Sequence, residues 1–109
     1  MDKLLNSINT RLTYIENHTE NAYILNICRI IREKIKEIKD RIYSSQSTIN
    51  DICDRIVNVD INKIQRVGGQ TDMVYKKMSE LANFVLQIKD NYFDEDEATF
   101  DDEDGGFDE

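Results

Sequence analysis

One series of positions constrains this chain more than any other. Cys28, Ile35, Ile42, Ile49 and Ile56 alternate by three and four residues with Ile31, Ile38, Ser45, Ile52 and Val59. In heptad terms the first five are a positions and the second five are d positions. Nine of the ten are apolar across more than four heptads. A period of 3.5 keeps such positions on one seam of a helix, whereas a strand repeats every two residues. Arg32, Glu33 and Lys34 stand consecutively inside the series, which excludes strand-type alternation there. The chain has no proline, and its glycines are confined to Gly68, Gly69, Gly105 and Gly106. Helix breakers are therefore scarce, and the fold class predicted is all-α.

Two further stripes mark two further helices. Leu5, Ile8, Leu12 and Ile15 predict a short helix over residues 1–16. Carried forward, that stripe falls on Thr19, Ala22 and Asn26, out of phase with the Cys28 series. The phase change lies in the polar stretch 17–21, whose residues suit helix caps. A long heptad helix is then predicted over 20–66. Its one polar interruption is 44–48, with sequence SSQST. The heptad phase is the same on both sides, and a loop rarely preserves phase. A continuous helix is the expectation, with Ser45 as a polar layer that sets register. Gly68-Gly69 predicts a stop, because glycine readily takes the left-handed conformation past a helix end. Thr71 as N-cap, with Asp72 at the positive end of the helix dipole, opens a third helix over 71–89. Its stripe is Val74, Met78, Leu81, Val85 and Ile88.

Lengths then argue for assembly. A helix over 20–66 would be ~70 Å long, against ~22 Å and ~28 Å for its neighbours. Folded back from each end, these leave ~20 Å uncovered near Ile38, Ile42 and Ser45. An exposed isoleucine seam is neither stable nor soluble by itself. The expected architecture is an elongated coiled coil or helical hairpin bundle, joined through this seam to itself or to other helical subunits. Isoleucine at both a and d favours trimers or tetramers. Residues 22–31 are apolar nearly all round and predict the thickest part of the assembly. On one continuous helix Cys28 and Cys53 would stand ~38 Å apart, so two reduced, buried thiols are expected rather than a disulfide.

The charge is segregated. Residues 1–89 hold all 14 Lys and Arg against 11 acids, while residues 90–109 hold 11 acids and no base. The formal charges are +3 and −11, which sum to the −8 of the chain. Phe93, Phe100 and Phe107 punctuate the acidic segment in the register FDEDEAT, FDDEDGG, FDE. Such a composition cannot bury enough apolar area to offset its ordering entropy, so a disordered tail is predicted. Within 29–41, Arg29, Arg32, Lys34, Lys36, Lys39 and Arg41 form a basic patch against three acids. It reads as a solvated helix face or as a docking surface for acid, including the chain's own tail. The tail reads as a solubilising charge cloud or as an aromatic-anchored ligand, in which carboxylates steer a basic partner and phenylalanines hold it.

The tail resembles the acidic tails of single-stranded-DNA-binding proteins and of histone chaperones, and transcriptional activation segments. The resemblance covers residues 90–109 alone. It implies a basic protein partner. Nucleic acid is not a ligand for the tail, since like charges repel. Thr99, followed by acids, fits an acid-directed kinase, and a phosphate there would add negative charge.

Chemistry for catalysis is thin, and no enzyme activity is expected. His18 is the lone histidine, so no His pair offers a zinc site. The tail does not meet the EF-hand spacing. Gly68-Gly69 leads into Gln-Thr rather than the Lys-Ser or Lys-Thr of a phosphate loop. No cofactor is expected. No apolar run is long enough to span a bilayer, and the first residues lack signal-peptide character; an intracellular or virion location is expected. Fifteen isoleucines, ten asparagines and eight lysines are usage common where coding DNA is AT-rich, as in many large DNA viruses and some protists and low-GC bacteria. The functional reading is a non-enzymatic coiled-coil adaptor whose tail recruits a basic protein. The alternatives are a nucleic-acid-linked regulator, whose basic helix is gated by the tail, and a small subunit of a helical complex in cytoskeletal or trafficking machinery.

Overall fold

A helix break decides the architecture. The computed structural model describes residues 1–93 and is helical throughout, with no strand among the described residues. Helix α1 is Asp2–Asn17 and α2 is Ala22–Lys39. Helix α3, Gln46–Arg55, runs through a π-helical stretch, Ile56–Ile61, into the short α4, Asn62–Gln65. Helix α5 is Asp72–Asn91. Counting α3 to α4 as one rod, the described residues make four rods of 16 to 20 residues, each ~24–30 Å long. They fit inside extents of 40 × 30 × 18 Å, which a single ~70 Å helix over 20–66 could not.

The expected continuous helix over 20–66 is therefore corrected to two rods. Helix α2 ends in a paired turn: Arg41 N–H donates to the Ile38 carbonyl at 3.1 Å and Ile42 N–H to the Glu37 carbonyl at 3.5 Å. This is the hydrogen-bond pattern that usually carries glycine, but here Arg41 occupies the left-handed position at φ 58°. Four residues later Ser45 caps α3, its side chain accepting from Thr48 N–H at 3.3 Å. Ser45 is a cap, not a polar layer of a seam. Glu37, in the last turn of α2, accepts a hydrogen bond from Tyr43 in the turn.

The seam itself divides. Cys28, Ile31, Ile35, Ile38, Ile49 and Ile56 are buried within one chain. Ile42 lies on the interhelical turn at 59% exposure and Val59 at 41%, while Ile52 is half-buried. After the break the inward stripe is Ile49, Cys53, Ile56, Ile61 and Ile64, all 0% exposed. Ile56 and Ile61 are five residues apart, the interval that the i→i+5 bonding of a π turn accommodates. Two helices separated by a turn rotate independently, so a matching heptad phase across 44–48 carries no structural consequence. No ~20 Å stretch of seam is left uncovered, because α2 packs on α1, the π stretch and α4, while α3 packs on α5.

The rods run up, down, up and down. Helix α1 packs against α5 and α2; α3 and the π stretch pack against α5; α2 meets the π stretch and α4. Leu5, Ile8, Leu12 and Ile15 of α1 face Val74, Met78, Leu81, Val85 and Ile88 of α5 in one core. At one end Asn21 caps α2, accepting from Ile24 N–H at 3.0 Å. There Thr19 donates to Gln70 at 2.7 Å, joining the two loops. Gly69 takes φ +84° in the second of them, where any side chain would be strained. Thr71 caps α5 through Val74 N–H at 3.2 Å. Tyr23 and Leu25, in the segment read as apolar all round, stay 50% and 36% exposed.

Candidate functional site

The opposite end, the base, is where α2 ends, α3 begins and the acidic segment leaves the bundle. Its centre is Tyr92, 1% exposed. The Tyr92 hydroxyl donates to the Tyr43 carbonyl at 2.8 Å. Arg41 donates to the Tyr92 carbonyl and lays its guanidinium 4.9 Å from the centre of the same ring. Gln46 donates to the Lys89 carbonyl at 3.0 Å, satisfying one of the acceptors left over at the end of α5. Lys89 bonds Asp54 of α3 at 2.6 Å, which holds its ammonium above the ordinary value. Tyr43 also donates to Glu37, and that hydrogen bond pushes the Tyr43 phenol up to about 12. The exit of the chain is thus clamped to the α2–α3 turn by both backbone and side chains. Phe93, the first tail anchor, is 45% exposed and packs edge-on against Tyr92, centroids 4.6 Å apart. Phe100 and Phe107 lie outside the described residues, as does most of the acidic segment.

Beside this exit, between the first half of α1 and the last half of α2, runs a groove of about 460 Å³. Its floor is Leu5, Leu12 and Ile35, and Asn6, Asn9, Arg32, Lys36, Lys39 and Asp40 rim it. Arg32 is anchored there, bonding Glu16 at 2.8 and 3.0 Å, Thr13 at 2.9 Å, and Asn9. The hydrogen bond to Glu16 raises the Arg32 pKa further. Lys36 pairs with Asp40 at 3.1 Å, both exposed. Lys39 has no ion-pair partner among the described residues.

The six residues of the basic patch do not form one surface. Arg32, Lys36 and Lys39 share the groove. Lys34 turns the other way to Asp60 of the π stretch, at 2.8 Å, with side chains 28% and 10% exposed. Arg29 pairs with Glu33 at 2.8 Å on an open face. Arg41 belongs to the Tyr92 clamp. Sequence spacing missed that clamp, because its partners are 49 and 51 residues apart.

Other polar clusters are structural in character. Arg11 of α1, 6% exposed, bonds Glu80 of α5 at 3.2 Å and stacks over Phe84 at 4.8 Å. Lys77 reaches the same carboxylate at 3.3 Å. Burial would raise the Glu80 pKa, but the Arg11 and Lys77 hydrogen bonds and charges outweigh it and lower the value. Cys28 and Cys53 sit on different rods, free and buried, and burial pushes both thiols up to about 12. Thiolates, the reactive form, are thereby suppressed at neutral pH. No group of three or more metal-ligating side chains gathers among the described residues. Nor is any described helix long and apolar enough to cross a membrane.

Comparison with protein-family models, with curated proteins and with solved structures finds no match to this chain.

Proposed function

We propose that the chain is a non-enzymatic adaptor, a four-rod helical bundle that presents an acidic, phenylalanine-spiked segment to a basic protein partner. The observation that carries this reading is charge segregation: residues 90–109 hold 11 acids and no base, interleaved with Phe93, Phe100 and Phe107. Two features of the bundle support it. Tyr92 is fixed in the core, so the segment leaves from a rigid base, and Phe93 already stands in solvent. Carboxylates supply attraction at a distance, and aromatic side chains supply the contacts that slow dissociation.

Assembly with itself or with other helical subunits belongs to this reading through the apolar residues outside the core. Among these are Ile42 and Val59 of the predicted seam, with Tyr23 and Leu25 of α2. An adaptor that assembles would multiply its tails and gain avidity. The basic patch supports a nucleic-acid contact less well, because Arg32 and Lys34 are engaged by Glu16 and Asp60.

The test is titration of a lysine-rich, aromatic-pocketed basic domain, such as a folded histone pair, into the full chain. Replacing Phe93, Phe100 and Phe107 by Ser, with every acid retained, should weaken binding at least tenfold at moderate salt. Unchanged binding would reduce the segment to a charge cloud. A chain ending after Phe93 completes the series. Cutting earlier would remove Tyr92 from the core and confound folding with binding. Sedimentation velocity of the same samples reads the assembly state.

A further inference from the structure

We infer that the groove between α1 and α2 is an intramolecular receptor for the chain's own segment 94–109, one phenylalanine of which enters over Leu5, Leu12 and Ile35 while its neighbouring carboxylates meet Lys36 and Lys39. Three observations converge on this occupant. The first is shape and polarity. The groove has an apolar floor under a rim that carries three cations, Arg32, Lys36 and Lys39, against one acid, Asp40. Its volume of about 460 Å³ lies in the range of sites that enclose a side chain or small ligand. An aromatic flanked by carboxylates is the complement of that arrangement, and FDDED at 100–104 has this order.

The second observation is where the chain leaves. The Arg41–Tyr92–Tyr43 clamp ties the end of α5 to the turn that directly follows the last residues of α2. Lys36, Lys39 and Asp40 of the rim belong to that same end of α2. Phe100 stands seven residues beyond Phe93, a reach of ~23–25 Å when extended, and Phe107 twice that. The rim residues Lys36, Lys39 and Asp40 adjoin the clamped exit, and the two smaller extents of the bundle are 30 and 18 Å, so the groove lies within the reach of Phe107 and its near end within that of Phe100. A tethered ligand of this length experiences an effective concentration of about millimolar, and weak contacts suffice to populate the docked form.

The third observation is availability. Lys39 makes no ion pair among the described residues, and the Lys36–Asp40 pair is exposed on both sides. Exposed i,i+4 pairs are weak and exchange readily for another carboxylate. By contrast Arg32 is held by Glu16 and Thr13, and so serves as a fixed wall of the groove. Docking stands apart from the identity of any partner. Its consequence rests on the adaptor reading above: a phenylalanine seated in the groove is withheld from a basic protein, which must displace it to bind.

Methyl NMR of the full chain, with no partner present, tests the docking. The Ile35, Leu5 and Leu12 methyls should carry ring-current shifts in the parent chain. Phe100→Ser with Phe107→Ser should abolish these shifts, and Lys36→Glu with Lys39→Glu should do the same. The Ile64 and Val74 methyls, buried at the opposite end of the bundle from the exit, should stay unmoved, which reports that the variants fold. The shifts should shrink with added salt and be independent of protein concentration. Groove methyls indifferent to both double variants would overturn the inference. Shifts that vanish on dilution would also overturn it, because the occupant would then be the tail of a second copy. Either failure leaves the partner titration untouched, so the two proposals fall separately.

Discussion

The α1–α5 pair and the α2–α3 pair are built from similar residues yet behave differently as sequence. In α1 and α5 a single apolar stripe per helix goes wholly to the core, and Arg11 and Glu80 lock the contact from its edge. Each helix has a start and a stop near where the residues suggest. In α2 and α3 the apparent stripe is shared with a turn: Ile42 and Ser45 leave the core, and Cys53 and Ile61 enter it. The joint is a left-handed Arg41 rather than a glycine, and a π stretch brings the buried Asp60 against Lys34. A regular amphipathic helix advertises its partners, whereas a hidden turn and a shifted register do not.

Substitution of core and seam gives the largest contrast. Leu81→Ala in α5 should destabilise the fold by ~2–5 kcal/mol, since Leu81 is fully buried. Ile42→Ser should change stability by no more than ~0.5 kcal/mol, as befits an exposed turn residue. Urea unfolding of both variants checks this. A loss at Ile42 as large as that at Leu81 would restore the continuous seam. Next comes the ion pair of the α2–α3 half. Asp60→Ala leaves the partly buried Lys34 ammonium without its acceptor, a loss of ~1–3 kcal/mol. Lys34→Met in the same background should recover part of it, because the uncompensated charge is then gone.

A smaller effect sharpens the joint itself. Arg41→Ala and Arg41→Gly both lose the contacts to Tyr92, but only glycine is free of the penalty at φ 58°. The glycine variant should be the more stable of the two by ~1 kcal/mol. Equal midpoints in thermal melts would argue against a left-handed residue there. The smallest effect is a pH dependence in the α1–α5 half. The Glu80 carboxyl is held below its ordinary value of 4.5 in the folded state. Protons therefore bind the unfolded chain more readily, so the stability from this group is present above that value and is lost as pH falls through the folded one. Glu80→Gln should be less stable than the parent at neutral pH, and the gap should close as pH falls below the ordinary carboxyl value of 4.5 and through the lower folded one.

What was legible follows the same division. The all-helical class came from the stripes, and Thr71 as a cap came from the chemistry of N–H groups with no partner in the first turn. The break at 40–45 was harder to see. Its polar serines were visible, but the turn uses no glycine or proline, and the phase on either side coincided. Ser45, with Thr48 three residues on, was the signal that could have found it. In the base clamp, Tyr43 and Tyr92 carry no motif, and their meeting depends on two helix ends arriving together.

Local information in the residues determined that this chain is helical, where α1 and α5 lie, and that its charge is divided between a mildly basic body and an acidic, aromatic segment. These follow from periodicity, capping and composition, which act over a few neighbours. Tertiary structure decided that the heptad series folds onto itself in one compact bundle and that Lys34 and Arg41 leave the basic patch for Asp60 and Tyr92. It alone set Arg32, Lys36 and Lys39 over a groove beside the exit of the acidic segment. The physical reason is that a backbone turn costs little where two helices can bury more apolar surface against each other than one long helix can bury alone.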